Sequence, residues 1–213
     1  REVDRVLRPE GRLIISGFNP ASLWGAFIAV HVWLIWLGMV VGPGSLGDVS
    51  GVYPFWVQAA FNGEFIAGVN APWVYPIVAW VPLLLPTIAG MGHYVISWLI
   101  MVTILDLVGF FFLVRAARVP SPRPLAAWWW TLALLALGPV SLGRIDSVVT
   151  PIAILGMLFL LTRPALAGVL LAIGAWIKVW PAAIVGAAVI LLRRRWSVAL
   201  GAVTFSVVTI VVG

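Results

Sequence analysis

GPGSLGDVSGVYPFWVQAAFNGEFIAGVNAPWVY, residues 42–75, is the one long interruption in a chain that is otherwise lipid-soluble. It carries Asp48 and Glu64, two of only four acidic residues that come after the basic start of the chain. Beyond Tyr75 the sequence reads as apolar helix with short breaks. The stretch therefore reads as a loop outside the bilayer, and polar chemistry at a membrane surface has few other places to sit. Asp48 is its candidate catalytic residue.

Outward from this loop, the 213-residue chain is 63% hydrophobic and 9% charged, which leaves too little polar surface to clothe a water-soluble globule. A helix needs roughly 20 apolar residues to cross the hydrocarbon core, and backbone groups in lipid must be satisfied within their own segment. The expected fold is an all-α integral membrane protein, a polytopic bundle of about seven spans with one long extracytoplasmic loop. Cysteine is absent, so neither a disulfide framework nor a thiolate metal site is possible. The net charge of +6 does not point to nucleic acid. The cations cluster at Arg1–Arg12, Arg115–Arg123 and Arg193–Arg195, where they flank apolar segments as cytoplasmic anchors do instead of forming one face.

Residues 1–21 differ in style from the rest and read as a cytoplasmic lead-in to the membrane domain of residues 22–213. A short charged helix, a turn at Arg8–Gly11 and a strand-like RLIIS suit a soluble α/β domain. Residues 2–20, EVDRVLRPEGRLIISGFNP, resemble the late helix-turn-strand of class I S-adenosylmethionine-dependent methyltransferases. The Gly-rich cofactor loop and the acidic ribose partner of that family are missing, so methyl transfer is not expected. The chain reads as a fragment with a junction near residue 22.

The spans expected in order are Ser22–Val41, Tyr75–Ile88, His93–Val114, Leu125–Val140, Val148–Leu161, Ala165–Leu192 broken at Lys178–Pro181, and Val198 onward. Trp24, Trp33 and Trp36 of the first, and Trp128–Trp130, read as interfacial anchors. Val52–Phe61 suits a short helix lying in the interface. Pro76, Pro82 and Pro86 make Tyr75–Ile88 a kinked span or a re-entrant segment, and a full crossing is the favoured reading. With a cytoplasmic start, that reading places Arg193–Arg195 inside but leaves Arg115, Arg118 and Arg123 outside. His31 is expected to be a packed, hydrogen-bonded residue. Asp106, at a cost of about 2.5–3.5 kcal/mol near the bilayer centre, should face a partner or be protonated.

Two further stretches carry candidate chemistry. One is the charged turn LGRIDSVV, residues 142–149. The other is GAWIKVWP, residues 174–181, where Lys178 interrupts a hydrophobic helix three residues before a proline. In order, GDVSGVYPFWVQAAFNG (47–63) with WVYP (73–76), LGRIDSVVTPIAILGMLFL (142–160) and AGVLLAIGAWIKVWPAAIVGAAVILLRRRW (167–196) resemble glycosyltransferase family 87. These are bacterial polyprenyl-phosphate-mannose-dependent mannosyltransferases of the type C membrane fold, and the resemblance covers about residues 22–213.

The resemblance implies that Asp48 is the catalytic base of the loop and that Lys178 is the lysine of an IKxxP motif. Members commonly show Gly-Gln-x-Asn where this chain has Gly143, Arg144, Ile145 and Asp146, a departure that puts two ionisable groups in place of two amides. It further implies a multi-pass protein of the bacterial cell membrane. Such a protein would work among membrane lipids on a polyprenyl-phosphate sugar donor and a glycolipid or glycan acceptor, without nucleic acid and without a cofactor.

The chemistry agrees with these assignments. Transfer from a lipid phosphate needs a carboxylate to take the acceptor proton and cations, here Lys178 and Arg144, to hold the phosphate as charge develops on it. Tyr53, Tyr75 and Asp146 are candidate substrate-binding residues, and no residue pattern recommends a metal. The competing readings are a transporter or flippase with an intramembrane relay of Asp106, Asp146 and Lys178, and a structural membrane subunit whose loop is a docking surface. Arg144 and Lys178 have a further alternative, which is to pair with Asp106 or Asp146 and do nothing else. Catalysis requires Asp48, Arg144 and Lys178 to converge at one membrane face.

Overall fold

The first apolar run folds as α1, Pro20–Val40, in a computed structural model that describes residues 20–40, 44–116 and 123–212. The turn and strand expected near residues 8–16 lie outside the described residues. Leu23, Phe27, His31 and Leu34, three or four apart, form the buried stripe of α1. Ile28, Val32, Trp33, Trp36 and Met39 stay exposed on its other faces. A helix that is apolar on every face suits a membrane and not water.

The interrupting loop is folded. A π-helical turn, Asp48–Val52, leads into α2, Tyr53–Phe61, whose Tyr53, Val57 and Ala59 are buried against the bundle. The chain then passes through a 3₁₀ turn at Ile77–Ala79, the short α3 at Trp80–Leu84 and a second 3₁₀ turn at Leu85–Ala89. After it come α4 (Tyr94–Arg115), α5 (Arg123–Leu137), α6 (Asp146–Phe159), α7 (Pro164–Ile177), α8 (Pro181–Leu191) and α9 (Arg195–Val212). Among the described residues there is no β-strand, only an isolated bridge between Ala67 and Ala71.

Contacts along the helices define two ends of the bundle. At one end, α1 closes against Leu46 and Pro139 through Gly38, the Trp98 indole of α4 donates to the Leu142 carbonyl, and Gly174 of α7 meets Pro181. Toward the other end, Phe112 of α4 meets Phe159 of α6, and the Leu160–Leu161 turn lies beside Leu191 and Leu192. α1 and α4–α9 therefore run alternately between the same two ends. Three helical stretches, Ser22–Val40, Met91–Arg115 and Arg195–Val212, are long and apolar enough on their own to cross a membrane; the fourteen-residue α6 and α7 each span only about 21 Å.

This arrangement corrects the expectation that residues 75–88 cross fully. Tyr75 starts the segment under the Lys178 ammonium, 5.1 Å from ring centroid to Nζ. The segment ends by handing the chain to α4, whose Tyr94 hydroxyl donates to Leu83 O at 2.9 Å and whose Trp98 ring lies 5.1 Å from that of Tyr53. Both ends of the segment thus sit at the same end of the bundle. Three prolines in fourteen residues deny it the unbroken ladder of a straight span. The later helices keep their alternation because the 165–192 stretch is two antiparallel helices, α7 and α8, joined at residues 178–180. Lys178 is extended there and Pro181 opens α8.

The tryptophan triplet needs a second correction. Trp129 is exposed, but Trp130 is buried and packs against Phe27 at 5.4 Å and Phe110 at 6.2 Å. It belongs to the aromatic core between α1, α4 and α5. His31 and Asp106 meet close by, with Nε2 and Oδ2 3.0 Å apart and both residues buried.

Candidate active site

The turn between α5 and α6, residues 142–146, is fixed from three directions. Trp98 donates to Leu142 O at 2.8 Å, and the Ile145 amide donates to the Tyr53 hydroxyl at 3.0 Å. Gly143 lets the loop come close, since a Cβ there would stand 2.9 Å from both the Ser45 carbonyl oxygen and Leu46 Cδ2. That approach delivers Asp48, two residues on, to Arg144. Its Oδ2 accepts from the Arg144 guanidinium at 2.5 Å and, more loosely, from the Tyr53 hydroxyl at 3.4 Å. A contact between residues 96 apart therefore ties the loop to the start of α6.

A second ion pair begins two residues further along the same turn. The Lys178 ammonium donates to Asp146 Oδ2 at 3.1 Å, and the Trp180 indole donates to Asp146 Oδ1 at 3.0 Å. The same ammonium sits over Tyr75, a contact favourable to a cation. Trp56 and Trp73 meet the Tyr75 ring edge-on at 6.0 and 5.9 Å. Arg144 and Asp146 do not pair with each other; each reaches for a partner on a different element.

Asp48, Arg144, Asp146, Lys178, Tyr53 and Tyr75 are thus brought together at one end of the bundle. Their exposures differ in a way that matters. The Arg144 side chain is 54% exposed against 18% for Asp48, and Lys178 and Asp146 stand at 35% and 44%. Arg144 is the most open of the four, while Asp48 is held from behind. Tyr53 is fully buried, so it offers no face to a sugar. This corrects its assignment as a substrate-binding residue: it positions Asp48 and the α6 turn. Burial first, then the neighbouring Tyr75 and the Asp48 carboxylate, raise its phenol above the ordinary range, and it stays a neutral donor. Glu64 lies apart, accepting from Asn62 at 3.1 Å on the exposed loop.

A cavity of about 290 Å³ opens beside the site between α4, α5 and α6. Arg144, Asp146, Ser147 and Thr150 line its polar end, Trp130, Leu134 and Leu137 its apolar wall, and Asp106 is reached in its depth. The arrangement offers two carboxylates, each paired with a partly exposed cation, and a mostly apolar groove.

Sequence reading missed Trp98, Gly143 and Trp180 as members of the site. Trp180 was the most accessible of the three, because it stands inside the IKVWP motif itself.

Compared with known proteins, the chain matches a profile described as glycosyltransferase family 87 over residues 73–213. The match includes Tyr75, Arg144, Asp146 and Lys178 and begins after Asp48 and Tyr53, so it is shorter than the span of the resemblance read from sequence. No curated protein and no solved structure matches the chain.

Proposed function

The chain belongs to glycosyltransferase family 87, and from that premise we propose that it moves a hexose, mannose as first choice, from a polyprenyl-phosphate donor to a lipid or glycan acceptor. The observation that carries the proposal is the meeting of the loop carboxylate Asp48 with Arg144 of the α6 turn, beside the Lys178–Asp146 pair. The arginine-rich end of the bundle lies opposite, which by the positive-inside rule supports an extracytoplasmic site, and the proposal includes a bacterial cell membrane.

In the proposed reaction Asp48 takes the proton of an acceptor hydroxyl. The hydroxyl oxygen attacks the anomeric carbon, and the bond from that carbon to the donor phosphate oxygen breaks. The lipid phosphate leaves with the electron pair. Arg144 and Lys178 hold that charge, which is the kind of preorganised electrostatic help that lowers such barriers most. With Asp48 as base and Asp146 held by Lys178 and Trp180 instead of serving as nucleophile, the reaction inverts the anomeric carbon, by analogy with glycosidases.

Both cations are engaged by carboxylates. A donor phosphate entering the site competes with Asp48 for Arg144, and its arrival frees the base at the moment it is needed. The prenyl chain is assigned to the apolar groove below Arg144. With two cations supplying the charge, transfer proceeds without a divalent ion, and chelation leaves the rate unchanged.

The test is transfer in membranes from a radiolabelled polyprenyl-phosphate sugar. Asp48→Asn is expected to lower turnover by at least about a hundredfold with expression intact, and unchanged transfer removes Asp48 from the mechanism. Lys178→Met is expected to raise the donor KM about tenfold and leave acceptor KM unchanged. Equal effects on both would make Lys178 structural.

A further inference from the structure

At the end of the bundle opposite the site, Arg115, Arg163, Arg193, Arg194 and Arg195 are all exposed. None of them has a carboxylate partner among the described residues. The described acids are Asp48, Glu64, Asp106 and Asp146, and each is engaged elsewhere, with Arg144, Asn62, His31 and Lys178 respectively. Among the described residues, this end therefore carries a concentrated positive charge with no carboxylate to offset it.

A cavity of about 320 Å³ is cut into it, lined by Leu160, Leu161, Leu191, Leu192, Arg193 and Arg194. Its composition is split: leucines from the ends of α6 and α8 make an apolar wall, and two arginines, Arg193 and Arg194, complete the lining. Next to it Arg195 lies over the Trp196 ring at 5.7 Å, and that ring is 73% exposed. An exposed tryptophan beside arginines at a helix end marks the level of the lipid headgroups.

We propose that this cavity is a binding site for one acidic phospholipid of the cytoplasmic leaflet, with its phosphodiester on Arg193 and Arg194 and the upper part of an acyl chain against the four leucines. Guanidinium groups bind phosphate through paired N–H donors, and basic pockets between helix ends on the cytoplasmic side hold anionic headgroups. Cations that served topology alone would need no apolar recess beside them. Charge complementarity selects an anionic lipid over a zwitterionic one, and the leucines select a lipid over a free phosphate.

The experiment is native mass spectrometry of the delipidated, purified full chain, titrated with phosphatidylglycerol or phosphatidylcholine of matched chains. Phosphatidylglycerol is expected to bind at least about tenfold more tightly, and Arg193→Gln with Arg194→Gln to weaken it by about thirtyfold, since each arginine near an anionic headgroup contributes about fivefold. The charge-keeping pair Arg193→Lys with Arg194→Lys should retain most of the preference. Excess inorganic phosphate should leave the lipid bound. Equal binding of the two lipids by the wild-type protein, an unchanged affinity in the glutamine variant, or displacement by inorganic phosphate would each overturn the proposal. None of these readouts depends on sugar transfer.

Discussion

Asp48 and Asp106 are both paired carboxylates, and their surroundings give them opposite uses. The Asp48–Arg144 pair is partly exposed, a setting in which an ion pair is worth about 0–1 kcal/mol, so separating it costs little. The Asp106–His31 pair is buried, at the depth of the groove. His31 Nδ1 lies 2.9 Å from the Phe27 carbonyl, which only accepts, so that nitrogen carries a hydrogen. A single proton is then left between Nε2 and Asp106 Oδ2, and the pair is net neutral whichever atom holds it. That geometry makes a specific prediction. Asp106→Asn can still donate an amide hydrogen to Nε2 and should cost less than about 1 kcal/mol, whereas Asp106→Ala strands the imidazole and should cost about 1–3 kcal/mol. Unfolding midpoints in detergent measure both, and an equal loss in the two variants would mean the pair is ionic. Single residues with their types were legible in the sequence: a loop aspartate, a lysine before a proline, a lone histidine on an apolar helix. Their partners were not, because Asp48 and Arg144 are 96 residues apart and His31 and Asp106 are 75 apart, and no local pattern encodes such a separation.

Among the elements, the breaks were the most legible feature. Lys178 and Pro181 end one helix and begin the next, and the loop helix at Tyr53–Phe61 is announced by its aromatic, weakly charged composition. The closeness of α7 and α9 was not read, although small residues four apart, Gly168 with Ala172 and Ser197 with Gly201, carry the signal for tight helix contact in lipid. A Cβ on Gly168 would collide with the Val198 carbonyl oxygen, and one on Gly201 with that of Ala165. The two backbones touch where those side chains are missing. Gly201→Ala must therefore push α9 off α7 and should lower stability by about 1–3 kcal/mol. Gly186→Ala on α8 meets nothing within 4 Å and should be neutral or gain about 0.5–1 kcal/mol from helix propensity. Comparing the thermal unfolding of the two variants separates packing from propensity, and a neutral Gly201→Ala would contradict the contact.

For the whole molecule, the distribution of charge and the path of the chain are one question. The sequence alone could not reconcile them, because a full crossing by residues 75–88 put one arginine cluster on the wrong side. Proline content allowed either path, and only the packing of Tyr75 on Lys178 and of Tyr94 on Leu83 decides it. With that segment returning to its own side, Arg115, Arg163 and Arg193–Arg195 share one end, and Arg144 and Lys178 alone among the described lysines and arginines stand at the other. Each of those two cations is matched with a carboxylate, Arg144 with Asp48 and Lys178 with Asp146, whereas the arginines of the opposite end have no such partner among the described residues. The chain contains no cysteine, so any introduced thiol is unique and reports the face on which it stands. Glu64→Cys and His93→Cys flank residues 75–88 at exposed positions and should both react with a membrane-impermeant maleimide added to the extracytoplasmic side of intact cells. Arg163→Cys and Arg194→Cys should react only after the membrane is opened. Labelling of Arg163→Cys together with Glu64→Cys in intact cells, with His93→Cys protected until the membrane is opened, would restore the full crossing of residues 75–88.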